Sequence, residues 1–218
     1  TVDFDGNYGQ FCRADVETET AWFPVQTPHT ANTSSEPAST ICFPMHPFLG
    51  IMDVTTASNQ RPSSMPPADY GGNIDLRNLT VESTLFLPVQ IEGAGSYIDD
   101  PNFAQDNGEV SLTALEASLR ATLRAQVVPT AEDKRLFGRT DLPFAISHGT
   151  LIPMGFSSTL DDALSQSVEH AINMIAAMFE MPRQQVYLLL SAAIDFDVTQ
   201  AVDITKGVHG LIDLSMFQ

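Results

Sequence analysis

Oxygen-bearing side chains gather at two glycine-containing turns between Tyr70 and Glu116. The first reads Tyr70-Gly71-Gly72-Asn73-Ile74-Asp75, and the second runs Asp99-Asp100-Pro101-Asn102-Phe103-Ala104-Gln105-Asp106-Asn107-Gly108-Glu109. Glycine lets the backbone approach closely, so carboxylates and carboxamides beside it can line a site for a hard cation or a polar substrate. Plainer roles stay open for the same residues. Asp75 can bond its own backbone in a turn, Asn107-Gly108 suits a type I′ turn, and Glu116 can sit on a solvated strand face. His46, His148, His170 and His209 are scattered, and His170, inside a predicted helix, is expected at the surface.

The elements that must position these groups are uneven in their signals. Between the turns, Leu85, Leu87, Val89 and Ile91 alternate with Thr84, Phe86, Pro88 and Gln90, which predicts a strand over Thr84 to Ile91 with Pro88 at an edge or bulge. After Glu109, Leu115, Ala117, Leu119, Ala121, Leu123, Ala125 and Val127 alternate with Glu116, Ser118, Arg120, Thr122, Arg124 and Gln126. Helix propensity and strand period conflict there, and the unbroken alternation predicts a long strand. Residues 129–143 read as a polar connection, followed by short strand-like pieces around His148-Gly149. A helix is predicted from a Ser158 or Thr159 cap, with Asp161 and Asp162 at its positive end and Leu160, Leu164, Val168, Ile172, Ile175 and Phe179 on its apolar face. Pro182 opens a second helix that carries Val186, Leu189, Leu190 and Ala193 inward, and strands over Val198–Val202 and Val208–Phe217 close the chain.

Upstream, residues 1–40 are rich in Thr, Ser, Pro and Asn and read as loop, with Trp22 as an apolar anchor. Irregular strand pieces are expected over Ile41–Val54, and a Pro-rich loop over Gln60–Ala68. The prediction is therefore an α+β fold, a strand-rich body of sheet or barrel-like layers with a C-terminal helical pair packed on it.

Composition narrows the classes of partner. A chain of 218 residues with 43% hydrophobic content can bury a substantial core. Its 27 acidic against 10 basic residues give a net charge of -17, which argues against nucleic acid and anionic lipid as partners. No apolar run reaches the roughly 18 residues of a membrane span, and no export-type segment is visible, so a cytoplasmic protein is expected. Cys12 and Cys42 are too few and too far apart for a zinc-thiolate site, and two buried free thiols are expected. The chain begins at Thr1, which is expected either from trimming or from cleavage of a precursor.

The order of several motifs resembles the acetamidase/formamidase family. Pro47-Phe48-Leu49-Gly50 is similar to its P-F-L-G, and Gly71-Gly72-Asn73-Ile74-Asp75 to its G-G-N-x-D. Ser83 to Val89 resembles S-T-L-x-x-P-V, and Glu92-Gly93-Ala94 resembles E-G-A. Gln105, Asn107-Gly108-Glu109-Val110 and Thr113-Ala114-Leu115-Glu116 look like Q-G-D-G-E-V and T-A-x-E. Downstream, Tyr187 to Ser191, Asp195, Val198-Thr199-Gln200 and Gly207-Val208-His209 resemble Y-L-L-x-S, D-x-x-V-T-Q and G-V-H. The likeness covers Phe43 to His209 and departs at two points: Asn102 stands where the family has a histidine, and Asn107 where it has an aspartate. It corresponds to the later two thirds of the family's length, so residues 41–218 read as one family-like domain, expected as the downstream subunit of a processed precursor.

The resemblance implies an amidohydrolase that cleaves C–N bonds of small linear or cyclic non-peptide amides. It implies a divalent metal, zinc, with Asp75 and Asp100 as ligands and water activated on it, and Glu109 and Glu116 as proton carriers. Tyr70, Asn73, Asn102, Phe103 and Gln105 are then expected around the substrate. A rival expectation makes Thr1 a nucleophile with its own amine as base, free of metal. A third is a non-catalytic binding subunit of a heteromer. Beyond the amide, the expected partners are a second polypeptide supplying the missing segment or further copies of this chain.

Overall fold

The computed structural model describes residues 13–15, 17, 20–25, 39–138 and 140–217. The expectations for Thr1, Cys12 and the Trp22 side chain fall outside what is described. Strands β1 (Arg13–Asp15), β2 (Thr20–Val25) and β3 (Ser39–Pro44) form a small antiparallel sheet, two strands of which lie within the segment read as loop. Cys42 on β3 is a free thiol and is exposed, contrary to the buried thiol expected of it.

Two further antiparallel sheets make the body. One has the order β5 (Gly71–Asn73), β4 (Phe48–Val54), β7 (Ser96–Ala104), β8 (Leu115–Glu116). The other has the order β11 (Asp195–Gln200), β12 (Lys206–Asp213), β10 (Thr150–Ser157), β9 (Phe144–Ser147), β6 (Thr84–Phe86). Helices α2 (Leu160–Met178) and α3 (Arg183–Ala193) cover one face of the five-stranded sheet. The architecture is α+β with a C-terminal helical pair, as expected.

Strand β10 explains why the layers stack. Its residues from Leu151 to Phe156 are all buried, so the strand must be covered on both faces. Leu151 joins Ile212, Met174, Ile175 and Val186 in the core under the helices. Ile152, Met154 and Phe156 face the other way, toward Phe48, Ile74 and Leu76 from the four-stranded side. Each of these large side chains contributes about 1.5–3 kcal/mol when fully buried. The β9–β10 hairpin is closed by His148 and Gly149, with φ of 48° and 82°, the two positive values that a tight two-residue turn needs.

Helix α2 begins where its cap predicts: the Asp162 N–H donates to Thr159 Oγ1 at 3.2 Å. Val168, Ile172, Ile175 and Phe179 of the expected stripe reach the core, but its first two residues do not: Leu160 and Leu164 are 38% and 42% exposed while Ala163, Ser167, His170 and Ala171 are buried. Gly155 of β10 supplies the reason. A Cβ there would lie 2.2 Å from the Ala163 carbonyl oxygen, so the helix rests on the sheet through small residues. The Ser167 hydroxyl donates to the Pro153 carbonyl at 3.0 Å, and His170 Nδ1 bonds the Met154 carbonyl at 3.1 Å. His170 is thus a core residue and not the surface residue expected. In α3, Val186 and Leu190 are buried as expected and Ala193 is exposed.

Four other expectations are corrected. The long strand expected from Leu115 to Val127 is only Leu115–Glu116: the rest has no regular structure, and Leu123 and Val127 are 53% and 74% exposed, with no second layer on the apolar side among the described residues. The strand expected over Thr84–Ile91 stops at Phe86, two residues before Pro88. The polar connection contains α1 (Thr130–Phe137), with acids in its first turn and bases in its last, and the turn around Asp99–Asn102 belongs to the nine-residue strand β7.

Candidate active site

Four separate stretches of chain bring their carboxylates to one place. Asp75 follows β5, where Ile74 and Leu76, both fully buried, clamp it from either side. The N–H groups of Ile74 and Asp75 donate to the Gly50 carbonyl at 3.0 and 3.1 Å, which fixes the turn against β4. Asp100 and Asn102 come from β7. Glu109 follows Gly108, whose N–H donates to the Thr199 carbonyl and whose carbonyl accepts from Ala201, both at 3.1 Å. Those two bonds tie the loop after β7 to strand β11.

Asp203 comes from the β11–β12 connection. The side chain of Gln200, fully buried, shapes that connection: its Oε1 accepts from the Val202 and Asp203 N–H groups at 3.0 and 3.1 Å, and its Nε2 donates to the Thr205 carbonyl at 2.6 Å. Asn73 then donates from Nδ2 to Asp203 Oδ2 at 3.0 Å. Carboxylate oxygens of Asp75, Glu109 and Asp203 lie within 4.8 Å of one another, and these residues are 1%, 9% and 3% exposed.

Asn102 sits beside the cluster. Its Nδ2 is 3.4 Å from Asp75 Oδ1, 3.3 Å from Asp100 Oδ2 and 3.5 Å from Gln105 Oε1. Gln105 in turn donates from Nε2 to the Asp75 carbonyl at 2.9 Å. Gly50 forms the floor: a Cβ there would lie 2.1 Å from Asp100 Oδ2, 2.5 Å from Asp75 Oδ1 and 2.9 Å from Asn102 Nδ2. The glycine of the P-F-L-G stretch is therefore required by the space the site needs.

So many acids in so little water raise one another's proton affinity. Burial, and then the charges of Glu109, Asp100 and Asp203, push Asp75 up to about 10. Burial and then the charges of Asp203, Asp100 and Glu116 push Glu109 up to about 8. Asp100 and Asp203 are also raised, mainly by burial, with hydrogen bonds from Asn102 and from Asn73 respectively opposing the shift. The nearby Arg77 is paired with Asp106. Four of the buried side-chain atoms without a hydrogen-bond partner belong to the cluster, Asp75 Oδ2, Glu109 Oε2, Asn73 Oδ1 and Asn102 Oδ1; the others are Asn78 Oδ1, His170 Nε2 and His209 Nε2. Converging, unpartnered oxygens above a bare glycine suit a divalent cation.

The residues expected from the sequence are distributed as follows. Asp75, Asp100, Glu109, Asn73, Asn102 and Gln105 come together. Glu116 is exposed on β8, in register opposite Asn102, and is raised by partial burial and by Asp100. Phe103 lies at the β7 bulge, where its carbonyl accepts from the His46 N–H at 2.9 Å. Tyr70 lines a separate cavity of about 460 Å³ with Arg61, Asp69 and Gln90. Asn107 is turned to Asp197, with an Nδ2 to Oδ2 distance of 2.8 Å. Asp203 is absent from the expected set. Its signal was indirect: it stands three residues after the Val198-Thr199-Gln200 motif, whose glutamine builds its loop.

A sequence model described as the Acetamidase/Formamidase family matches residues 30–217. A formamidase of Methylophilus methylotrophus is 40% identical over 48 residues, which is 22% of this chain and 12% of that protein. An acetamidase of Mycolicibacterium smegmatis is 39% identical over 54 residues, 25% of this chain and 13% of that protein. The crystal structure of an acetamidase from Yersinia enterocolitica has a similar fold, with a TM-score of 0.68 at 21% identity, covering 82% of this chain and 52% of that one. The chain thus spans about half the length of the solved relative.

Proposed function

The chain belongs to the acetamidase/formamidase family, and from that premise and the geometry of its acids we propose that it hydrolyses the C–N bond of small aliphatic amides such as formamide and acetamide. The observation that carries the reading is the convergence of Asp75, Glu109 and Asp203 within 4.8 Å. Amide hydrolysis requires a deprotonated water, a polarised carbonyl and a proton for the departing amine. A divalent cation held by those three carboxylates supplies the first two. Asp75, Glu109 and Asp203 are then ligands, which moves Glu109 out of the proton-carrying role expected of it.

Proton delivery falls to Asp100 and Glu116. Burial raises both above the ordinary carboxylate range, so each keeps its proton to a higher pH than a solvated acid. Glu116, exposed at the rim opposite Asn102, can exchange that proton with bulk water. Asn102 acts as a positioning residue, with its amide reaching both Asp75 and Asp100. The Gly50 floor keeps open the volume that the carboxylates surround.

The test is ammonia release from formamide and acetamide by the full chain, with and without chelator. We expect turnover that the chelator removes and that Asp75→Asn lowers at least about a hundredfold. No release from either amide at saturating concentration ends the reading. Turnover indifferent to chelator and to Asp75→Asn points to the metal-free Thr1 nucleophile in its place.

A further inference from the structure

The identity of the cation follows from the atoms that surround it. Among the described residues, the group of His, Cys, Asp and Glu side chains close enough to share an ion contains carboxylates alone: Asp75, Glu109 and Asp203. Cys42 is exposed on β3. His170 is on the helix side of the five-stranded sheet, bonded to the Met154 carbonyl. His209, fully buried, is bonded through Nδ1 to Thr199 Oγ1 at 2.7 Å, leaves its Nε2 without a hydrogen-bond partner, and is not in the group.

Where the family resemblance leads one to expect an imidazole, the chain has the carboxamide of Asn102. That residue is 1% exposed, its Nδ2 is 3.4 Å from Asp75 Oδ1, and its Oδ1 is without a partner. Asn73 brings a second unpartnered carboxamide oxygen, beside Asp203. Six oxygen-bearing side chains therefore surround the site: Asp75, Asp100, Glu109, Asp203, Asn73 and Asn102.

Zinc is held mostly by imidazole and thiolate in tetrahedral sets, whereas calcium, magnesium and manganese take six or more hard oxygens. Resting on the proposed metal-assisted reading of this site, we propose that the centre is an all-oxygen one that takes a hard divalent cation of the calcium, magnesium and manganese class and has lost the zinc selectivity that a nitrogen donor would give.

The experiment is calorimetric titration of the full, chelator-treated chain with CaCl2, MnCl2 and ZnCl2 in separate runs. One equivalent of calcium or manganese is expected to bind, at least about tenfold more weakly in Asp203→Asn, whose folding is checked by circular dichroism. Transition-metal affinity generally rises from manganese to zinc, so the diagnostic is the size of that preference. In the wild type we expect zinc to bind no more than about tenfold more tightly than manganese, and Asn102→His to widen the gap at least about tenfold. A wild-type zinc preference above tenfold overturns the inference. So does an absence of cation binding, or binding that Asp203→Asn leaves unchanged. Ammonia release is read separately. A zinc-selective protein that hydrolyses acetamide defeats this inference alone, and a calcium- or manganese-binding protein without turnover defeats the proposed function alone.

Discussion

In the five-stranded sheet, six successive residues of β10 are buried, Gly155 admits a helix, and Ser167 and His170 reach the strand's carbonyls. In the four-stranded sheet and the loops beside it, Asp75, Asp100 and Glu109 take positive φ values of 52°, 57° and 41°. That conformation costs an L-residue about 1 kcal/mol, less where Asp can bond locally. The same three residues are carboxylates crowded where water is scarce. One region lowers its free energy by close packing of helix on sheet, while the other is held strained and acid-rich by neighbours such as Ile74 and Leu76. The contrast separates what stabilises this chain from what equips it for chemistry.

The largest effect is expected from breaking the matched region. Gly155→Ala places a methyl 2.2 Å from a backbone oxygen of α2 and 2.5 Å from the Ser167 nitrogen, neither of which can rotate away. The helix must lift from the sheet, and a stability loss of about 3 kcal/mol is expected in urea unfolding. The second glycine sharpens the comparison. Gly50→Ala meets the ends of the Asp100 and Asp75 side chains, which can move. It should leave unfolding within about 1 kcal/mol of wild type yet lower kcat/KM for acetamide roughly a hundredfold, since small displacements of catalytic groups cost that much. Equal losses of stability in the two variants would erase the distinction between the regions.

The matched region was legible in the sequence because its pattern and its environment agree. The Thr159 cap, the acids at 161 and 162 and the Pro182 stop all act locally, and both C-terminal helices appear where they are read. The stripe of α2 is legible over Val168, Ile172, Ile175 and Phe179 and fails only in its first turns, where a close helix–sheet approach selects Ala163 and Ser167 over Leu160 and Leu164. Asp75, Asp100 and Glu109 stood out as acids beside glycines, but Asp203 comes from another sheet and its place depends on Gln200. No window of sequence carries that pairing. The alternation from Leu115 to Val127 is real as a pattern, but a strand also needs a second surface, which a period cannot supply.

An intermediate effect is expected from pH. Asp75 and Glu109 have native values raised to about 10 and about 8, above their ordinary carboxylate values. The native chain therefore holds protons that the unfolded chain releases, and the stability they contribute is complete below about pH 4. It is lost as pH rises, through about 8 for Glu109 and about 10 for Asp75. The cation-free protein should melt at lower temperature at pH 8 than at pH 5, and Asp75→Asn should flatten that slope. Added cation should raise Tm more at pH 8, where fewer protons compete with it, than at pH 5. A Tm that climbs from pH 5 to pH 8 without cation contradicts the buried, uncompensated cluster.

The smallest effect belongs to the segment that alternates like a strand and does not form one. Leu123 is 53% exposed, and the residues around it from 121 to 127 are exposed as well. Replacing it with serine removes little buried surface, so Leu123→Ser should shift unfolding by no more than about 0.5 kcal/mol. The same change in β10, Leu151→Ser, removes a side chain packed against Met174 and Ile212 and should cost about 3 kcal/mol or more. Leu123 has the alternating period without the burial and Leu151 the burial without the period, so the ratio of their effects measures how far burial, and not period, decides which residues stabilise the fold. A loss above about 1 kcal/mol at Leu123 in the full chain would show that its apolar side is covered in solution, and hydrogen exchange across residues 117–128 would then locate the protected amides.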